Sequence, residues 1–166
     1  MPQFENSKAM NHPIVQSSEG VTLVGGGPVS GAMLRGALAR APRLVAADGG
    51  ADRALRLGHA PEAVIGDMDS ISDAARARLA GRVFPLSEQA TTDFDKVLRS
   101  VEAPFFLALG FAGARIDHGL AVFNTLVRHA GRRCIVIGPQ DVVFHAPPSL
   151  ELDLRRGDRL SLFPMA

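Results

Sequence analysis

Residues 66–70, Gly-Asp-Met-Asp-Ser, carry the densest chemical signal in this chain. In an extended loop, side chains two positions apart point the same way. Asp67 and Asp69 would then present two carboxylates to one side, and Gly66 would let a ligand approach the backbone. Like charges at that range repel unless a cation or a proton lies between them. Oxygen ligands of this kind suit Mg2+, which takes one or two carboxylates and completes its shell with phosphate oxygens and water. The same residues would serve equally as an Asx-turn, with Ser70 or Ser72 capping the helix that follows.

Three further segments could do chemistry. In residues 89–96, Gln-Ala-Thr-Thr-Asp-Phe-Asp-Lys, Thr92 is the expected N-cap of a helix that Asp93 begins, and Lys96 falls on the same face one turn later. Free N–H groups at a helix start attract anions, a lysine there adds a point charge for phosphate, and a carboxylate can complete a metal site. The plainer reading is a capped helix whose acidic residues favour its dipole, with Lys96 paired in solvent. In residues 110–118, Gly-Phe-Ala-Gly-Ala-Arg-Ile-Asp-His, the glycines permit tight turns. There Arg115 and Asp117 would form a buried pair or a phosphate clamp, or simply an ion pair that closes the loop, and His118 reads as a capping or packed histidine. Residues 25–31, Gly-Gly-Gly-Pro-Val-Ser-Gly, follow a strand and open a helix, and Asp48 lies about 20 residues on, as in a dinucleotide loop. Ser30, however, stands where the third glycine belongs, and Pro28 intervenes.

These segments need elements to hold them. Short apolar runs at 21–24, 44–47, 63–65, 105–109 and 134–137 predict strands, with a brief extended piece at 83–84. Segments of helical period at 34–41, 51–57, 72–80, 93–101 and 117–130 predict helices. Nearly continuous apolar strands alternating with helices imply a mainly parallel sheet covered on both faces, a Rossmann-like three-layer α/β domain. Ligands bind such sheets beyond the carboxyl ends of the strands, where Asp48, Asp67, Asp69 and the 110–117 segment all fall. After Gly138 the style changes: strand candidates at 142–145, 150–154 and 159–163 have no helix between them, which reads as an antiparallel β unit cut short. The expected organisation is a mobile arm over 1–20, an α/β domain over 21–140, and the incomplete start of a β domain over 141–166.

Composition narrows the class. A length of 166 residues with 46% apolar content suits one compact domain. A net charge of +1 argues against a nucleic-acid surface held by counterion release. The single cysteine, Cys134, allows neither an internal disulfide nor a cysteine-built zinc site and fits a reducing compartment. No apolar run approaches the roughly 18 residues of a membrane span, and the first 20 residues lack the apolar core of a signal peptide. A cytoplasmic, soluble protein is expected.

Taken in order and spacing, Asp48-Gly-Gly50, residues 66–70, residues 92–96 and residues 113–118 resemble thiamine pyrophosphokinase, and the resemblance covers most of the chain from Val21 to Pro164. It implies an α/β domain that binds Mg-ATP, followed by a β-sandwich that contributes the thiamine site, in a homodimer. It implies metal binding by Asp67, Asp69 and Asp93; ATP or phosphate contacts from Gly26, Asp48, Gly49, Gln89, Thr92, Lys96 and Arg115; and a substrate role for Asp117. The implied reaction is in-line attack by the thiamine hydroxyl on the β-phosphorus of ATP, with AMP leaving and Asp69, Asp93 or Asp117 assisting. The loop before Arg115 has fewer glycines than the family pattern, and residues 157–164 resemble only the start of the sandwich. A pterin pyrophosphokinase lacking that sandwich, or a nucleotide-binding module without turnover, are the alternatives.

Overall fold

The structure, a computed structural model, describes residues 12–113 and 115–165. Residues 1–11 of the expected arm and Ala114 of the glycine-bearing loop lie outside the described residues. In chain order the elements are β1 (Val15–Gln16), β2 (Val21–Val24), α1 (Gly31–Leu38), β3 (Arg43–Ala47), α2 (Gly50–Arg56), β4 (Ala63–Gly66), α3 (Asp73–Arg78), β5 (Val83–Pro85), α4 (Asp93–Ser100), β6 (Val101–Glu102), β7 (Phe106–Leu109), α5 (Ile116–Arg128), β8 (Cys134–Ile137) and β9 (Val142–Phe144).

Seven of these strands form one sheet in the order β5-β4-β3-β2-β7-β8-β9. Its pairings are parallel except at the edge, where β9 runs antiparallel to β8. The continuous apolar runs have a simple cause. Alternate strand residues go to opposite faces, and both faces are covered. Leu23, Val45, Ile65, Phe106 and Ala108 pack with Phe94, Val97 and Leu98 of α4 and Val122 and Leu126 of α5. From the same strands, Val24, Leu44, Leu107 and Leu109 pack on the other face against Leu34 and Ala37 of α1 and Ala54 of α2. Ala46 and Val64 continue that face against Ala51 of α2 and Ala75 of α3.

The order of strands decides where a ligand can sit. The chain leaves β2 toward β3, β4 and β5, then returns to place β7 on the opposite side of β2. A crevice opens at such a reversal, beyond the carboxyl ends of β2 and β7. Two loops meet there: the Gly25 N–H donates to the Leu109 carbonyl (2.8 Å) and the Gly27 N–H to the Gly110 carbonyl (2.9 Å). A Cβ on Gly25 would lie 2.7 Å from the Gly110 oxygen, and Gly110 itself has φ 73°, so close approach and left-handed backbone both require glycine here.

Two expectations need correction. The 1–20 stretch is not wholly a free arm, because Val15 and Gln16 pair in parallel with Val101 and Glu102. The flanking Ile14 N–H donates to the Ser100 carbonyl (2.8 Å), and Val15 is buried with the core. Two apolar residues in a polar stretch are too short a run to register as a strand; the partner creates it. At the other end, residues 150–154 and 159–163 form no strand. Among the described residues no neighbouring strand lies beside them, and an extended segment without one leaves its backbone groups to water. Leu150, Leu152, Leu154, Leu160, Leu162 and Phe163 are accordingly exposed.

Candidate active site

Two strand ends place the first carboxylates. At the end of β3, Asp48 adopts φ 42°, and at the end of β4 Met68 adopts φ 68°; left-handed backbone is uncommon for either residue type, and most of all for the longer methionine. Both turns are held. The Asp48 carboxylate accepts the N–H groups of Ser70 (3.0 Å) and Ile71 (3.0 Å), and Arg76 donates to the Met68 carbonyl (2.8 Å). Asp48, only 1% exposed, thus staples the loop after β4 to the loop after β3.

Helix α4 supplies the rest. Its Phe94, Val97 and Leu98 are buried in the core, while Asp93 and Lys96, one turn apart, face the crevice. Thr92 caps the helix by accepting the Asp95 N–H (3.3 Å). The Lys96 side chain is 1% exposed, and its ammonium donates to Asp67 Oδ2 (3.0 Å) and Asp93 Oδ1 (3.2 Å). Gln89 Nε2 lies 3.4 Å from the same Asp67 oxygen. Asp48, Asp67 and Asp93 each present an oxygen within 4.8 Å of the others.

Proton affinities record the crowding. Burial, then a hydrogen bond with Asp69, and the charges of Asp93 and Asp69, push Asp48 up to about 6. Burial also raises Asp93 above the ordinary carboxylate range; Lys96 opposes this, and the charges of Asp67 and Asp69 reinforce it. Asp67 goes the other way: burial works against its charge, but the Lys96 hydrogen bond and charge outweigh it and hold the carboxyl low. For Lys96, burial is likewise outweighed by Asp67 and Asp93, which raise its pKa.

Three carboxylates against one ammonium leave two negative charges in a partly buried corner. Hard oxygen donors with that net charge fit one divalent cation of the Mg2+ class. The set differs from the expected one in one member. Asp69 borders Asp48 but is not among the three whose oxygens all lie close together; its carboxylate accepts the Ser70 hydroxyl (2.7 Å). The left-handed turn at Met68 removes the extended geometry on which the shared side of Asp67 and Asp69 depended. Asp48, expected to contact phosphate, takes its place.

The cluster forms one wall of a cavity of about 510 Å³ at the sheet reversal, whose other walls include Gly26, Gly49, Thr92, Phe111 and Arg115. Phe111 packs on Phe94 with ring centroids 4.6 Å apart. Asp117 does not join the carboxylates. It makes a bidentate pair with Arg115 (3.1 and 2.6 Å) at the rim, where the two side chains are 61% and 69% exposed, and the Arg115 hydrogen bond holds its carboxyl down at about 2. Arg53 was not anticipated; from α2 it reaches the Gly26 carbonyl (3.3 Å), and only its place one turn into a helix that follows a glycine pair would have suggested it.

Comparison with known proteins gives the family and the fold. A family described as thiamin pyrophosphokinase, catalytic domain, matches residues 34–137. No curated protein matches in sequence. The fold is similar to thiamin pyrophosphokinase from Candida albicans, at 17% identity and TM-score 0.64 over 80% of this chain and 64% of that one. It is similar also to the enzyme from Bacillus subtilis, at 24% identity and TM-score 0.60 over 75% and 63%. A third similar structure, from Geobacillus thermodenitrificans, has 24% identity and TM-score 0.56 over 71% and 59%. The chain therefore spans about three fifths of the length of these structures.

Proposed function

The chain belongs to the thiamin pyrophosphokinase catalytic-domain family, and from that premise we propose that it transfers a diphosphate from Mg-ATP to the hydroxyl of thiamine, releasing AMP. The observation that carries this reading is the cluster of Asp48, Asp67 and Asp93 with buried Lys96 beside the paired glycine loops at the sheet reversal. Such a site would take phosphate on the side of the glycine loops and Arg115, and a metal on the other. Phosphoryl-group transfer needs little covalent chemistry from a protein, so positioning and charge neutralisation supply most of the catalysis.

In this reading Asp48, Asp67 and Asp93 hold Mg2+, which when bound neutralises charge on the phosphate oxygens. Lys96 keeps Asp67 ionised and anchors Asp93 by a hydrogen bond. Arg115, exposed at the rim, is free to exchange Asp117 for a phosphate. Asp93, biased toward protonation, is the best placed of the three expected assistants to take the hydroxyl proton; Asp117, held at about 2, is a poor acceptor. A Rossmann-like domain in a cytoplasmic homodimer belongs to the same proposal. The exposed leucines of residues 150–162 and the exposed Ile116 and Leu120 of α5 support the dimer, which would cover them. Among the described residues no helix is long and apolar enough to cross a membrane.

Incubation of the full-length protein with Mg-ATP and thiamine, followed by separation of the nucleotides, is expected to give AMP in step with thiamine diphosphate. Thiamine-dependent ADP without AMP would refute the assignment.

A pH profile tests the metal site separately. Because Asp48 in the folded chain titrates at about 6 rather than 3.8, it adds stability fully below its ordinary pKa and loses that contribution as pH rises through about 6. A cation must displace its proton. Mg2+ affinity is therefore expected to rise about tenfold per pH unit up to about pH 6 and then level off. An affinity that is flat across this range would remove Asp48 from the ligand set.

A further inference from the structure

Asp95 has no part in the cavity, yet its carboxylate is 2% exposed on the far side of α4. Packing alone would be served by an apolar side chain there, and a buried carboxylate is costly unless it is paired. Three basic groups converge on it: His129 Nε2 (2.9 Å), Arg128 (3.4 Å) and Arg99 (3.4 Å). The first two come from the end of α5, so the contact fixes the rotation of α4 against α5.

Arg99 then does something the other two do not. Its second nitrogen donates to Glu88 Oε1 (2.8 Å), in the segment that leads into α4. Glu88 Oε1 also accepts the Thr91 hydroxyl, and Oε2 accepts the Ala90 N–H (3.0 Å). This closes residues 88–91 into a compact turn. Between Ser87 and Thr92 every side chain is exposed or half-buried, so no apolar anchor fixes this segment; the Glu88 hydrogen bonds do. It is also the segment that brings Gln89 to Asp67 (3.4 Å) and Thr91 and Thr92 to the cavity wall.

We propose that Arg99 and Glu88 are positioning residues, a bridge from the buried Asp95 that holds the 88–92 segment over the carboxylate cluster and so sets nucleotide affinity from outside the cavity. This rests on the nucleotide-binding reading above, and the test separates the two. Arg99→Met removes the bridge but leaves Asp95 with His129 and Arg128, so the helix pair keeps its buried contact. Arg99→Lys restores the charge but can reach only one carboxylate at a time.

For the full chain, Mg-ATP affinity is measured by calorimetry and amide exchange is followed at Ala90 and Thr91, with the β2 and β7 amides as an internal reference. Arg99→Met is expected to weaken Mg-ATP binding about tenfold and to speed exchange at Ala90 and Thr91 while the β2 and β7 amides stay protected. Arg99→Lys should recover part of both, and Glu88→Gln combined with Arg99→Met should be worse than Arg99→Met alone, since it also removes an acceptor for the Ala90 N–H or the Thr91 hydroxyl. Unchanged exchange at Ala90 and Thr91 in Arg99→Met overturns the proposal, as does loosening that extends equally to β2 and β7. If the unaltered chain binds no Mg-ATP, the nucleotide reading fails by itself, and the exchange data still decide the bridge.

Discussion

Replacing Lys96 by Met is expected to remove about 3–5 kcal/mol of stability from the cation-free protein, the usual cost of leaving a buried ionic partner uncompensated. That is a large share of the 5–15 kcal/mol typical of a domain. The ammonium is almost fully enclosed and is shared by Asp67 and Asp93, so its loss raises the net charge of the cluster from two negative to three. The informative part is what Mg2+ then does. Thermal melts with and without Mg2+ should show a much larger stabilisation by the ion in Lys96→Met than in the unaltered chain, because the divalent ion replaces the missing charge. ATP binding should nevertheless fall, since the same ammonium lines the phosphate side of the cavity. A loss of stability that Mg2+ leaves untouched would mean that the lysine and the metal do not answer to the same carboxylates.

For Asp67→Asn the expectation is a double loss. Mg2+-dependent ATP binding should weaken by about 10–100-fold or more, since even residues that merely orient a metal ligand cost that much when altered. From the sequence, removal of one of two repelling carboxylates would leave the fold untouched. The structure reverses this, because Lys96 and Gln89 hold Asp67 more strongly than the neighbouring carboxylates repel it. Losing a charge-assisted hydrogen bond of this kind costs about 1.5–3 kcal/mol. The sign with pH follows from its lowered pKa: the stabilisation is present above the ordinary carboxylate value and disappears as pH falls through the depressed one. Denaturant titrations of the two proteins should therefore differ at pH 7 and converge in acid. An unchanged Mg2+ requirement in Asp67→Asn would break the shared site.

How much of this could be read in advance varies with the physics behind each feature. The strands at Val21–Val24 and Cys134–Ile137 have the bounds that their apolar runs predict; the first is covered on both faces, which leaves an unbroken hydrophobic signature, while the second keeps its run although Ile135 is exposed. Thr92 was legible as a cap because its hydroxyl satisfies a free N–H locally. Sheet order was not legible: which strand neighbours β2 depends on pairing between distant segments, and no local property records it. The carboxylate set was half legible. Asp93 and Lys96 share a face as their spacing suggested, and Asp67 meets them as the resemblance implied, but the choice between Asp48 and Asp69 turned on two left-handed residues, Asp48 and Met68. A glycine pair after Asp48 hinted at the first; a methionine gives no hint of the second. Arg115 and Asp117 do form a pair, but at the rim, not in the cluster.

Strand order also carries a history. Everything that builds the acidic half of the cavity lies between β3 and the end of α4, whose Phe94, Val97 and Leu98 pack on Val45, Ala47, Ala63 and Ile65. The facing half waits for β7, because Gly110 reaches Gly25 and Gly27 only when Phe106–Leu109 has paired with Val21–Val24, a closure across most of the preceding chain and hence the slower kind of contact. During synthesis, which proceeds N-terminus first, a nascent chain of about a hundred residues already contains every member of the carboxylate cluster. Such an intermediate would hold the whole of the proposed metal site before it had a loop to cradle phosphate, so an ion bound there would precede the closure of the second half.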